Sequence, residues 1–207
     1  CFALTLAMWR QQPVTGNSEA PKRLTDYKTP LGETLRQPQV WLSVLLFFLY
    51  VGAEASLGTW TYTLLTESRG IDETLAGFFA GSYWFTFTIG RIGAGMVAGR
   101  VGGHTLVVGG LIGALLGAVL LVWNPSDAAN VIAVAIIGLS IAPIFPALMS
   151  GTQARVGEHL AANTIGMQMA ATGFGLAAIP SLMGVLARQI SLEVIPAGLL
   201  AVYAGLL

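Results

Sequence analysis

Charge is what this sequence has least of. Only 10 % of its 207 residues are Asp, Glu, Lys or Arg, against about 25 % in a soluble domain. A soluble globule of this size needs more polar surface to cover its core. Ten basic and ten acidic residues cancel, which leaves no basic footprint for nucleic acid. The single cysteine, Cys1, excludes a disulfide framework and a cysteine zinc site. His104 and His159 lie at loop boundaries, where a solvated role suffices, and no metal-ligand pair sits on a helix. A phosphate-binding P-loop and a Gly-x-Ser-x-Gly elbow are also missing. The expectation is a protein that is not an enzyme and carries neither metal nor cofactor.

Apolar residues are abundant, at 55 %, and glycine is used 26 times. Disordered chains have the opposite balance. An integral membrane protein fits, since a spanning helix takes roughly 20 apolar residues. Five full segments are read: Val40 to Leu65, Thr74 to Ala98, Thr105 to Trp123, Val131 to Met149 and Asn163 to Ala187. A partial sixth begins near Ile195. Backbone groups in lipid must be satisfied internally, so each segment is expected to be a helix. The runs Cys1 to Met8 and Ile195 to Leu207 are too short to span, so the chain reads as a piece of a longer one.

Loop charge sets the expected orientation. Residues 9–39 carry Arg10, Lys22, Arg23, Lys28 and Arg36 and are expected to be cytoplasmic. Alternation then puts Arg100 and Arg155 inside with them, and Arg69 and Arg188 outside. Glycines four apart, as in Gly77 and Gly81, Gly95 and Gly99, or Gly109, Gly113 and Gly117, allow close helix approach in lipid. Pro143, Pro146 and Pro180 are expected to kink or break their helices.

Glu54 is the informative residue. It sits midway along its span, where a charge costs about 2.5–3.5 kcal/mol on insertion scales. The functional reading is a cavity residue that meets a ligand or a proton; the structural alternative is a protonated carboxyl packed between helices. Tyr50, Glu54, Leu57 and Thr61 share one helical face, and a tyrosine beside a carboxylate suits a sugar. Trp60 is read as an interface anchor at least as readily as a ligand-stacking ring. On the next span Tyr83 and Trp84 are candidate cavity residues, and Arg91 is given a structural or gating role. Gln168 needs a partner for its amide, either a ligand or another helix. Asn163 is read as a helix cap.

The stretch Gly95-Met-Val-Ala-Gly99-Arg100-Val-Gly102-Gly103-His104 resembles the inner-loop signature of the major facilitator superfamily, as does Gly90-Arg91-Ile92-Gly93 before it. Gly99 stands where that signature has Asp, and Gly103-His104 where it has basic residues. These departures leave mainly a tight-packing role for the motif. Tyr50-Val-Gly-Ala-Glu54 followed by Trp60 is similar to helix seven of the fucose–proton symporter family of sugar permeases. Gly138 to Pro146 is similar to its helix ten, and Ala171 to Gly184 to its helix eleven.

The resemblance implies an all-α integral membrane fold, the six-helix C-terminal half of a twelve-helix transporter with its first and last helices truncated. Residues 1–8 would end helix six, 9–39 form the central cytoplasmic loop, and 40–207 the bundle of helices seven to twelve. It further implies a multi-pass protein of the cell (inner) membrane, whose partners are the bilayer, a proton, a small polar solute and a missing N-terminal half. The leading expectation is monosaccharide uptake by proton symport with alternating access. Glu54, Tyr50, Tyr83, Trp84 and Gln168 would bind or couple, and Gly90, Arg91, Gly95, Gly99, Arg100 and Gly102 would form the gating loop. One alternative is proton-driven efflux of amphipathic compounds, favoured by Met167, Met169 and Phe174. Another is a membrane sensor or assembly module that transports nothing.

Overall fold

A computed structural model describes residues 29–207. The expected helix-six tail and the loop up to Lys28 lie outside the described residues. Every regular element within them is helical: α1 Leu31–Leu35, α2 Pro38–Thr63, α3 Glu73–Val101, α4 Gly103–Trp123, α5 Asp127–Ile141, α6 Ile144–Ser150, α7 Thr152–Val156, α8 Glu158–Gln189 and α9 Val194–Leu206. A π-helical turn, Leu64–Ser68, continues α2.

Four stretches are long and apolar enough to cross a membrane: Pro38–Ser68, Gly103–Trp123, Asp127–Ser150 and Glu158–Gln189. This is one fewer than the five full spans expected. The difference is α3, which has ample length at 29 residues but is diluted by glycine, serine, threonine and Arg91. The helix α9 is apolar and shorter, at 13 residues.

Local chemistry sets the ends. The Asp72 carboxylate caps α3 by accepting from the Thr74 and Leu75 amides, and Ser126 caps α5 through the Ala129 amide. Asn124 closes α4 in the left-handed region, with φ 46°. Gly102 and Gly157, at φ 82° and 87°, make the turns before α4 and α8, where a side chain would be strained. Helix α8 starts at Glu158, not Asn163, because its polar first turn continues the helix beyond the apolar run. Asn163 is therefore no cap. Its amide donates to Thr29 O and Thr34 Oγ1, both at 3.0 Å, and ties α1 to α8.

Pro143 breaks the fourth span between α5 and α6, and Pro146 lies within α6. Pro180 breaks nothing; α8 runs unbroken past it for 32 residues. In lipid the packing of helices depends on close approach and hydrogen bonds more than on apolar burial. Helix α2 packs chiefly on α8, α5 on α3 and α4, and α9 against α4 and α2. Glycine admits these contacts at particular places. A Cβ on Gly90 would lie 2.5 Å from Leu139 O, and one on Gly110 would lie 2.5 Å from Ser140 O. Gly113 and Gly117 also face α5, and Gly52 and Gly175 join α2 to α8.

Spacing alone does not pick these positions out. Gly77, Gly81, Gly95, Gly99 and Gly109 share the four-residue spacing, yet a Cβ on any of them would meet nothing within 4 Å. The tight packing expected of the signature glycines is met by Gly90, and Gly102 serves through its φ. Gly95 and Gly99 face open space within this bundle.

Candidate functional site

Three helices converge on Glu54. Its side chain is half-buried on α2, and its Oε2 atom is buried without a hydrogen-bond partner. Tyr50 lies one turn below on the same helix, wholly buried. Its hydroxyl sits beside the Glu54 carboxyl but donates its proton to Ile141 O, at 2.9 Å. That carbonyl is at the end of α5, where the Pro143 break leaves it available to a neighbouring helix. From α3, the buried Tyr83 hydroxyl donates to Glu54 O at 3.1 Å. From α9, the fully buried Tyr203 has a hydroxyl with no partner. All three tyrosines and Arg91 lie within electrostatic reach of the Glu54 carboxyl.

The expected face of Tyr50, Leu57 and Thr61 is the inward face of α2, since all three are buried. Trp84 is half-exposed and packs edge-on against Tyr83, with centroids 4.8 Å apart. Its ring lies over Gly58, where a Cβ would come within 2.9 Å of it. Trp84 therefore caps the surface one turn above Glu54. Arg91 lays its guanidinium over Phe87, 4.6 Å from the ring centroid.

Gln168 belongs to a different cluster. Its amide donates to Ser43 Oγ at 2.6 Å, and its carbonyl accepts from Thr152 Oγ1 at 3.2 Å. These bonds fasten α8 to α2 and α7, so the helix-to-helix alternative describes it. Trp60 joins α2 to α8: its indole donates to Pro180 O at 3.0 Å, and its ring packs over Gly184. Met169 and Phe174 are exposed, and Met167 packs beside Val40 and Leu160, away from the Glu54 tyrosines.

Of the six gating candidates, two share a cavity. Arg91 and Gly95 line a cavity of about 510 Å³ with Pro143 and Pro146. Glu54 is not among its walls. Arg100 and Gly99 lie beyond it, at the exposed end of α3.

Sequence reasoning missed a second polar centre at the opposite end of the bundle. Arg69 is expected in an outside turn, and its side chain is only 3 % exposed. It pairs with Glu193 at 2.8 Å, donates to Leu121 O at 2.8 Å, and hydrogen-bonds Asn130 Oδ1. Ser68 also donates to Glu193, and Asn130 to Asn124. Hydrogen bonds from Arg69 hold the Glu193 carboxyl below the usual carboxylate range, against a smaller opposing effect of burial. The network draws together the turns after α2, α4 and α8. Loop alternation grouped those three turns on one side, and here they share one cluster.

The Major Facilitator Superfamily family model matches residues 1–204. The chain belongs to the Major Facilitator Superfamily. A crystal structure of the E. coli fucose:proton symporter aligns with 99 % of this chain and 51 % of its own, at a TM-score of 0.68 and 19 % identity. A second structure of that transporter, in the outward conformation, gives 0.71 and 18 %, over 99 % and 50 %. At such identities the likeness establishes the fold. Among sequences, the mouse sodium-dependent glucose transporter 1A is 31 % identical over 149 residues, 70 % of this chain and 34 % of its own length. Bypass of stop codon protein 6 of Saccharomyces cerevisiae is 28 % identical over 184 residues, 79 % and 35 %. The chain thus spans half the length of those structures and about a third of those two relatives. This major facilitator chain has the bundle of one transporter half.

Proposed function

We propose that this major facilitator chain forms helices seven to twelve of a proton-coupled monosaccharide transporter of the cell membrane, with residues 9–39 on the cytoplasmic side. The missing partner is an N-terminal six-helix half, and the solute binds between the two. Glu54 is the residue on which solute and coupling cation converge. The observation that carries the reading is the Glu54 Oε2 atom, buried, unpartnered and surrounded by tyrosines at mid-span. An unmatched carboxylate oxygen there is costly to keep without a role. Tyr50 and Tyr83 donate to backbone carbonyls and so shape the site around the carboxyl. Trp84 offers an exposed ring face next to it, the kind of surface a pyranose stacks on. The likeness to a fucose:proton symporter and to a sodium-dependent glucose transporter supports a sugar as solute.

The test is uptake of radiolabelled fucose and glucose by cells expressing the full-length protein, with and without Glu54→Gln. Uptake driven by an imposed proton gradient and lost in Glu54→Gln is expected. Uptake driven by sodium instead would replace the proton with the cation in the mouse relative's name. Unchanged uptake and pH dependence in Glu54→Gln would remove this residue from the mechanism.

A further inference from the structure

Two cavities adjoin at the end of the bundle where α3 turns into α4 and α6 into α7. The first, of about 510 Å³, is the one that Arg91 and Gly95 line. The second, of about 450 Å³, is lined by His104, Val107, Leu148, Gly151 and Arg155. Gly103, Ala147 and Ser150 belong to both walls, so the two share a boundary. Gly103 and Ser150 are also the ends of two stretches able to cross a membrane. The second cavity therefore lies at the bilayer surface, and the first runs inward from it. Their chemistry follows this division. The inner cavity is walled by Ala94, Ala98, Leu106, Pro143 and Phe145 and reaches back along α3 to Arg91. From Ala98 to Arg91 is about 10 Å of helix. Gly95 gives it width, since a Cβ there would meet nothing within 4 Å. The outer cavity holds the imidazole of His104 and the guanidinium of Arg155.

Acids are scarce around these basic side chains. Between Glu73 and Glu158 the sole acidic residue is Asp127, at the opposite end of the stretch that closes with Ser150. Neither cavity has an acidic residue in its wall, Glu158 included. Among the described residues, none of Arg91, Arg100, His104 and Arg155 is in an ion pair. Arg155 is fixed in position. Its Nη2 donates to Leu148 O and to Thr152 Oγ1, which leaves Nε and Nη1 for a guest. The guanidinium lies against Gly151, where a Cβ would come within 2.7 Å of Nη1. Partial burial pulls the Arg155 pKa below the usual arginine value.

We propose that the paired cavities bind an anionic phospholipid of the leaflet at this end of the bundle, with its phosphate on Arg155 and His104 and an acyl chain in the groove that α3, α4 and α6 enclose. Basic pockets between membrane helices suit anionic head groups, and a guanidinium–phosphate contact is a charge-assisted hydrogen bond, among the stronger kinds. The order of the two cavities, donors at the surface and apolar walls within, is the order of a phospholipid. A free phosphate ester would engage the outer cavity alone and leave the apolar one unused.

The experiment titrates the purified full-length protein in detergent with phosphatidylglycerol, phosphatidylcholine and glycerol phosphate. Affinity is read from the rise in melting temperature with ligand concentration. Phosphatidylglycerol is expected to bind about tenfold more tightly than phosphatidylcholine. Arg155→Gln should weaken phosphatidylglycerol by about tenfold, and His104→Gln should weaken it too, with phosphatidylcholine unchanged in both. Gly95→Leu places its Cβ without a clash and fills the inner cavity. It should weaken phosphatidylglycerol while leaving glycerol phosphate as it was. Arg155→Gln also gives up the bonds to Leu148 O and Thr152; if it fails to fold, His104→Gln and Gly95→Leu decide. Equal binding of the two lipids, or phosphatidylglycerol affinity unmoved by these substitutions, would overturn the proposal. Glycerol phosphate binding as tightly as phosphatidylglycerol would make this a site for free phosphate esters and equally refute the lipid. No uptake is measured, so the result is independent of the reading of Glu54.

Discussion

Replacing Gly90 by alanine should loosen the protein, whereas the same change at Gly77 should not. Both glycines lie on α3 and both read as helix-packing residues. At Gly90 an added Cβ would stand 2.5 Å from Leu139 O and 2.8 Å from the Ala142 methyl. Close C···O contacts between helices settle at about 3.3–3.6 Å, so α3 must retreat from α5 by roughly 0.8 Å. The retreat cannot be taken up by a side chain, because Leu139 O is backbone. It would also pull at Gly138, where α3 and α5 touch again: a Cβ there would lie 2.7 Å from Tyr83 O. Forcing an extra methyl into packed structure costs about 1–3 kcal/mol. At Gly77 nothing lies within 4 Å, and exchanging a mid-helix glycine for alanine gains about 0.5–1 kcal/mol. The helix-propensity gain applies at Gly90 as well, so the two variants should differ by the packing cost, about 1–3 kcal/mol. Thermal unfolding of the full-length protein in detergent reads this directly, at about 2–4 °C per kcal/mol for a unit of 150–250 residues. Equal melting temperatures, or a more stable Gly90→Ala, would refute the assignment of the α3–α5 contact to Gly90.

Arg69→Met should destabilise by about 1–3 kcal/mol, because it strands the Asn130 and Leu121 O acceptors. Glu193→Gln should cost far less, within about 1 kcal/mol, since that carboxyl is 43 % exposed; chemical unfolding compares them. Because Arg69 depresses the Glu193 pKa in the folded protein, its stabilisation is present above the ordinary carboxylate value of 4.5 and fades as the pH falls through the lower folded value. Melting curves between pH 6 and 3 should show this acid loss, and Glu193→Gln should remove that part of it. Gln168→Leu should lower stability by about 1–3 kcal/mol through the stranded hydroxyls of Ser43 and Thr152, while leaving the affinity for any transported sugar unchanged; a changed affinity at normal stability would place Gln168 in the solute site.

The helices themselves were legible, because a run of apolar residues in lipid has few ways to satisfy its backbone. Their ends were less so: Glu158 and His159 look like loop residues but belong to α8. Glu54 was legible because a carboxylate stands out in an apolar span. Tyr203 carries a fainter mark, a lone hydroxyl in the run from Ile195 to Leu207, and its burial arises only when α9 packs against α2 and α4. Arg69 looked like any outer-turn cation. Its burial depends on Asn130 and Glu193 reaching it from two distant turns, and helical spacing within one span cannot reveal that. The glycines show the same limit. Four-residue spacing marks which residues share a face, but the partner helix decides which face is used.

The Arg69 cluster also bears on how this protein can diverge. A single guanidinium serves three turns that lie far apart in the chain, so exchanging Arg69 leaves several partners unmatched at once. A change at 69 therefore calls for matching changes at its buried partners, whereas the half-exposed Glu193 can change alone. This end of the bundle is tied to one residue, while the open glycines of α3 remain free to vary one at a time.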